Sequence, residues 1–503
     1  MTTTTPELVL VNPGSRAKIY QSLGATLTAV ENPVWAGLIA TFVRKKGYSV
    51  AIVDAEGEEL TPEQAAARVT ALNPKLVAVV VYGHQPSAST QNMTGASAVA
   101  KAIKNLNGDL PLLMLGGHVA SLPERTLDEE ACDFVSRDEG LFTVVDLLEA
   151  YRHEENPGLK NIRGLVYRDH GKPVTNPAAP LVKDLDADMP GVAWDLLPMS
   201  RYRAHNWHCF GHLQREPYAA LYTTLGCPYH CSFCCIQAPF KQGEEAAGLN
   251  TAVNSYRFWS PERVIQELDL LVNTYRVRNI KFADEMFVLN QRHVLGICDL
   301  IIERGYDLNI WAYARVDTVK DGMLDKLKRA GFNWLALGIE AANDGVLTDV
   351  DKRYDAHEVY DTVRKIKNAG INIIGNYIFG LPEDTLDTMQ QTLDLALDLN
   401  CEFANFYSAM AYPGSPLYDE AIRRGWQLPD SWSGYSQHAV NTLPLPTRHL
   451  SAGEVLRFRD HAFNVYYSHA PYLELVRRKF GEDTLAHVRD MTAHRLERKY
   501  AAR

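Results

Sequence analysis

The sequence has no apolar run approaching the roughly 20 residues that a membrane-spanning helix needs. Its densest run, residues 76–81, has the length of a buried strand. The N-terminus, Met-Thr-Thr-Thr-Thr-Pro, has neither the basic region nor the apolar stretch of a secretory signal, so a cytoplasmic location and no membrane span are expected. Cysteine is scarce, eight in 503 residues, which excludes a disulfide framework. Positive charge is in deficit: the net charge of -10 argues against a protein that coats nucleic acid, and no nucleic-acid partner is expected. What is present is ordinary for a soluble chain, 46% hydrophobic and 22% charged residues, which excludes a mainly disordered protein. Internal repeats and low-complexity tracts are missing too, and the length predicts roughly two to four domains.

Apolar strands alternate with amphipathic helices twice. In residues 1–150 the strands at 8–11, 48–53, 76–82, 110–115 and 134–136 are short and continuously apolar, as in a parallel sheet covered on both faces. A doubly wound domain of five strands is expected. Ligands of such sheets sit beyond the carboxyl ends of the strands, so the informative loops are 12–33, 83–90 and Gly116-Gly117-His118. Residues 151–216 are rich in Pro, Gly and charge but carry Trp194, Leu196, Leu197 and Met199, which reads as a structured linker. Residues 217–418 hold six further strand-helix units, predicting a partial parallel barrel with its chemistry at the C-terminal strand ends. Residues 419–503 are expected to be mainly helical. Trp426, Trp432, Tyr435, Tyr466 and Tyr467 there line a pocket or pack a core; the i, i+3, i+4 spacing of Phe463, Tyr466 and Tyr467 favours the core.

Four of the eight cysteines fall within nine residues at the end of the first barrel strand, in Cys227-Pro-Tyr-His-Cys231-Ser-Phe-Cys234-Cys235. The CxxxCxxC spacing of Cys227, Cys231 and Cys234 can hold three irons of a 4Fe-4S cluster and leave the fourth open to a non-protein ligand. The competing reading is a zinc site, with Cys235 or His230 as fourth donor.

This loop, with Phe233 as its aromatic, resembles that of the radical S-adenosylmethionine (SAM) enzymes, whose open iron is chelated by SAM. The resemblance extends to later strand ends. Asp284 and Glu285 stand at an acidic motif that meets the SAM ammonium, Glu340 matches the fourth-strand Glu, and Tyr377 to Gly380 resemble the loop beside the adenine, with Asn376 where a Gly is usual. SAM also carries a carboxylate, for which Arg315 is the candidate partner. A buried ion-pair ring at the barrel mouth is the alternative for Asp284, Arg315 and Glu340.

A doubly wound domain ahead of such a barrel resembles the cobalamin-binding branch of that family, on Asn12-Pro13, Asp54-Ala55, Gly116-Gly117-His118, Asp138-Glu139-Gly140, Ala193-Trp194-Asp195-Leu196 and the stretch 412–418. The implied fold is α/β: a cobalamin-binding-like domain, a partial (β/α)6 radical SAM barrel and a mainly helical C-terminal part. The implied cofactors are a 4Fe-4S cluster, SAM and cobalamin, the last with its tail near Gly116 and Gly117. The family's Asp-x-His-x-x-Gly cobalt motif is missing from residues 12–33. His84 and His118 are the candidate substitutes, cobalamin without a protein His is expected, and a degenerate domain without corrin stays open. The resemblance implies an enzyme, a C-methyltransferase acting on an unactivated carbon of a small or sugar-linked metabolite and reduced by a donor such as flavodoxin or ferredoxin. Cobalamin-dependent oxidation, cyclisation or rearrangement is the alternative. No side chain is assigned as catalytic.

Overall fold

The computed structural model describes residues 5–154, 157–211, 213–250 and 252–501. Its first sheet contains β1 (Leu8–Asn12), β2 (Val50–Asp54), β3 (Leu76–Val80), β4 (Leu112–Leu115), β5 (Phe134–Ser136), β6 (Leu165–Asp169) and β7 (Lys172–Thr175), in the order β2-β1-β3-β4-β5-β6-β7. The first five are parallel. Alternating residues of β1 serve opposite faces: Leu8 and Leu10 join one core with Phe42 and Leu147, and Val9 and Val11 another with Val69 and Ile103. Both faces are therefore covered by helices, Val34–Lys45 and Leu141–His153 on one, Pro62–Leu72 and Pro86–Leu106 on the other.

Two details differ from the sequence reading. The sheet has seven strands, because the apolar side chains of Leu165, Val166 and Tyr167 let an antiparallel hairpin, β6 and β7, cover the open edge of β5. The first part of the expected linker thus belongs to this sheet. The helix after β3 starts at Pro86, whose fixed φ and missing N–H suit a first turn, so much of the expected 83–90 loop is helical.

The second sheet is built from β8 (Tyr218–Leu221), then, after a ribbon of β9 (Thr224–Gly226) and β10 (Tyr256–Phe258), from β11 (Asn279–Phe282), β12 (Asn309–Arg315), β13 (Phe332–Glu340), β14 (Asn372–Phe379) and β15 (Phe403–Ser408). Its six strands are parallel and in sequence order, and β8 and β15 do not pair, so the barrel is open on one side. The helices between them are capped by Ser260, Asn290, Asp355 and Thr385, each accepting from a first-turn N–H; such a cap contributes about 1 kcal/mol.

The opening is filled from elsewhere in the chain. Asn32, on the loop after β1, lends its amide to the free edge of β8: Nδ2 donates to the Ala220 carbonyl at 3.0 Å and Oδ1 accepts from the Ala220 N–H at 2.7 Å. Trp207 of the linker packs edge-on against Trp311 and Trp334, with centroids 5.1 and 5.5 Å away. The strand ends of the first sheet consequently face the interior of the barrel across a fixed interface.

The C-terminal part holds the helices Pro416–Arg424, Ala452–Ser468, Ala470–Phe480 and Glu482–Ala493. Tyr466 and Tyr467 are core residues of its packing on β15, their hydroxyls donating to the carbonyls of Cys401 and Ala404 at 2.6 and 2.7 Å. Trp432 packs edge-on against His118, 4.4 Å between centroids, beneath the Arg125 guanidinium. No helix among the described residues is long and apolar enough to cross a membrane.

Candidate active site

The cysteine loop leaves the barrel through β9 and is held at both ends. The Cys227 N–H donates to Gln237, whose amide donates to the buried Glu244. Ser232 is tied to Val350 and Leu417 through backbone hydrogen bonds. Cys227 is buried and Cys231 and Cys234 are partly exposed. Burial pushes the Cys227 thiol up to about 12 and raises Cys234 further above the ordinary thiol value, with the neighbouring cysteines adding to it. Thiolates gathered here call for a cationic partner. Among the described residues no three of His, Cys, Asp and Glu converge as a single ion requires, and His230 Nδ1 faces the Asn254 amide at 3.5 Å. The spacing fits a cube that offers each thiolate its own corner.

The neighbouring groups are strongly charged. Arg315, at the end of β12, lies with its Nη1 at 3.5 Å from Cys231 Sγ and its guanidinium over the Tyr229 ring. It is also in a fork with Asp317, which outweighs burial and raises its pKa. Glu340 ends β13 after a bulge, in the left-handed region at φ 61°, a conformation that a Glu keeps only where its surroundings enforce it. It pairs with Lys352, a buried residue of the following turn whose ammonium lies 5.7 Å from the Phe233 ring. Burial lowers the Lys352 pKa, and Glu340 more than reverses it. Sequence reasoning missed Lys352; it lies twelve residues beyond the strand motif, and nothing in its local sequence marks it.

The acidic pair at the end of β11 divides its work. Both oxygens of Asp284 are occupied by Thr223, accepting from its N–H at 3.0 and 3.1 Å and from its hydroxyl at 2.8 Å. Asp284 therefore ties β8 to β11, with both oxygens already engaged. Glu285 has no hydrogen-bond partner among the described residues, and burial, with the Asp284 charge beside it, lifts its carboxyl to about 8. It lines a small pocket with Cys235, Gly226, Trp35 and Gly117.

Four further residues expected at the site lie as follows. Tyr377 is fully buried and stacks on Phe406 at 5.4 Å, on the outer side of the sheet, because strand alternation turns Asn376 and Ile378 inward instead. Gly116 is required by the approach of β3, since a Cβ there would run into the Val81 carbonyl; at Gly117 a Cβ would sit in ordinary contact, 3.6 Å from Ser89 Oγ. Gly380 begins a turn at φ 81°, and its N–H donates to Asp384 at 2.9 Å.

His84 is held at both ring nitrogens and His118 at its Nδ1. His84 Nε2 meets the Asn32 carbonyl at 2.6 Å and its Nδ1 pairs with Glu31 at 3.0 Å. His118 is buried against Thr90 at 3.1 Å, and burial lowers its pKa to about 3. Glu31 also receives Lys281 of β11 at 3.0 Å and the Tyr218 hydroxyl at 2.8 Å. This network crosses the domain interface beside a cavity of ≈ 740 Å³, walled by the inner faces of β12, β14 and β15 and by the loops after β1 and β3. Glu31 and Lys281 were not anticipated, although a Lys inside the apolar strand Asn-Ile-Lys-Phe was a visible signal.

Two family descriptions match this arrangement. The radical SAM superfamily matches residues 221–396 and the B12 binding domain residues 20–148. The chain belongs to the cobalamin-binding radical SAM enzymes. Its cofactors are accordingly a 4Fe-4S cluster, SAM and cobalamin. An uncharacterized methyltransferase of Pyrococcus horikoshii is 29% identical over 92% of both chains. The anaerobic magnesium-protoporphyrin IX monomethyl ester cyclase of Cereibacter sphaeroides is 27% identical over 91% of this chain and 69% of its own. In fold, the radical SAM enzyme resembles the methyltransferase TsrM of Kitasatospora setae, with a TM-score of 0.67 and 16% identity over 97% of this chain and 100% of the other.

Proposed function

We propose that this radical SAM enzyme is a cobalamin-dependent C-methyltransferase acting on an unactivated carbon of a small molecule. The observation that carries the reading is the small pocket in which the cysteine loop, through Gly226 and Cys235, meets Gly83 and Gly117 at the strand ends of the B12-binding domain. When bound, the cluster supplies the electron that cleaves SAM, SAM the carbon that abstracts hydrogen, and cobalamin the methyl group.

The chain's residues fit these groups. Cys227, Cys231 and Cys234 hold the cluster, and Arg315 beside Cys231 offsets the thiolate charge. Lys352 and Glu340, already paired under Phe233, offer a cation to the SAM carboxylate and an anion to its ammonium. Glu285, without a partner, is a second acidic group on that side. Gly117, on the small pocket at the end of β4, is where the corrin tail would lie, and His84, engaged at both nitrogens, is not offered to cobalt. The interface made by Asn32 and Glu31 closes one wall of the cavity. The electron comes from a reduced flavodoxin or ferredoxin, and the enzyme works in the cytoplasm on a substrate that is not nucleic acid.

The cyclase relative represents a different outcome on the same parts, and product analysis separates them. Protein reconstituted anaerobically with iron, sulfide and cobalamin is incubated with SAM and reductant. Methyl transfer predicts 5′-deoxyadenosine together with cobalamin-dependent S-adenosylhomocysteine. 5′-Deoxyadenosine without S-adenosylhomocysteine contradicts methyl transfer and favours oxidation or cyclisation.

A further inference from the structure

Asn376, on the inner face of β14, stands in the cavity, at a position where the resemblance to the radical SAM enzymes implies Gly. It faces inward one layer deeper than Ile378, roughly 7 Å along the strand from it, and it lines the cavity whereas Ile378 does not. On the neighbouring strand Asn405 is its direct partner in register, and Asn405 Nδ2 donates to Asn376 Oδ1 at 3.0 Å. Asn405 Oδ1 keeps its capacity to accept, and Asn376 Nδ2 reaches only the Leu337 carbonyl at 3.5 Å, a long contact that leaves most of its donating capacity free. Tyr407, opposite Ile378 in register, and Tyr313, level with Ile374, line the same cavity one step to either side of this pair, and Gln85 donates to the Tyr313 hydroxyl, whose own proton is then directed onward. All four are partly exposed inside an otherwise buried barrel.

The charged groups on the same wall are already matched. Lys281 and Arg459 are paired with Glu31 at 3.0 Å and Asp460 at 2.8 Å. Burial holds His205 and His438 neutral, at about 4 and about 3. Arg495 lies on the exposed rim. Trp207, Trp311 and Phe403 form an aromatic floor. Free neutral donors and acceptors above aromatic rings, with no uncommitted charge in the interior, define a preference: a charged substrate group would meet no partner here, whereas a hydroxyl both donates and accepts.

We propose that the Asn376–Asn405 amide pair is the specificity element of this enzyme and that it reads the hydroxyl groups of a neutral, polyhydroxylated small molecule. The assignment rests on the methyltransferase reading for the identity of the chamber. By fixing the hydroxyls one layer below the end of β14, the pair selects which carbon faces the strand ends where the cysteine loop lies.

The test uses the full-length reconstituted holoenzyme and four probes, myo-inositol and methyl glucoside as neutral polyols, glucuronate and glycerate as anionic ones, with saturation-transfer NMR reading binding. Transfer to at least one neutral polyol, stronger than to either anion, is expected, and Asn376→Leu and Asn405→Leu should each weaken it about tenfold. Asn376→Gly, which restores the usual residue without adding bulk, should weaken it as well and guards against a folding artefact. Preference for the anions, absence of transfer to both neutral probes, or binding unchanged in all three variants would overturn the proposal. Formation of 5′-deoxyadenosine by the unsubstituted enzyme is measured alongside. If it proceeds while the polyol result is negative, only this assignment fails; if it does not proceed, the radical SAM chemistry itself is at fault.

Discussion

The two parallel sheets of this protein turn their carboxyl ends toward one another, yet the two ends are unlike. The barrel mouth is crowded with charge: Arg315, Asp317, Glu340, Lys352 and Glu285 stand around a loop of three thiols. At the end of the doubly wound sheet the groups are neutral or already satisfied, with His118 uncharged, Asp54 accepting from Asn12 and Tyr202, and glycines where the backbone must pass closely. One side orients an ionic ligand through electrostatics, and the other offers shape to a ligand that brings its own metal. Damage on the barrel side should therefore cost affinity or chemistry sharply, while damage at the interface should first cost stability.

The largest effect is expected from Cys227→Ala, Cys231→Ala and Cys234→Ala combined. Cluster absorbance and 5′-deoxyadenosine formation should vanish while cobalamin is retained, since the other sheet holds it. Loss of both cofactors would break the division between the two ends, and a full iron and sulfide complement in the triple variant would remove the cluster assignment. Next comes Lys352→Met, which should weaken SAM binding about tenfold or more by calorimetry on cluster-loaded protein. Unchanged affinity in both Lys352→Met and Glu340→Gln would make that pair a structural bridge only.

Asn32→Ala should lower unfolding stability by about 1–3 kcal/mol, because the Ala220 N–H and carbonyl lose their partners in a place with no strand to replace them. A shift near zero in chemical denaturation would mean that the free edge of β8 finds another partner. A further effect, on pH dependence, concerns Glu285. Its carboxyl, at about 8 in the folded protein, is raised above its unfolded value of 4.5, so the folded state binds the extra proton between those values. The contribution of that proton to stability is full below about pH 4.5 and is lost as pH rises through 8. Melting of the cofactor-free protein from pH 5 to 8 should fall less steeply in Glu285→Gln than in the unsubstituted chain, and parallel curves would contradict the raised value.

The same contrast explains what the sequence made legible. Cys227, Cys231 and Cys234 were readable because the whole donor set lies on one loop and cysteine is rare elsewhere. The strands were readable because burial on both faces makes them continuously apolar. Lys352, Glu31 and Asn32 were not, because each acts on a partner far along the chain, and a single polar residue in a turn carries no mark of what the fold will bring to it. Tyr377 was misplaced by following a motif rather than the two-residue period of its strand, which turns Asn376 inward. Nor was Thr223, just beyond β8, readable as the residue that engages both oxygens of Asp284.

The central claim is that one chain holds a site-differentiated cluster and a cobalamin with no protein histidine on its cobalt, facing one cavity. Electron paramagnetic resonance of the anaerobically reconstituted protein in its Co(II) state, with cobalt and iron quantified on the same sample, tests it most directly. The account predicts one cobalt and one cluster per chain, and cobalt lines without nitrogen superhyperfine splitting, since His84 and His118 are both engaged elsewhere. Nitrogen splitting that disappears in His84→Ala or His118→Ala, or a cluster-loaded protein that retains no cobalt, would contradict it.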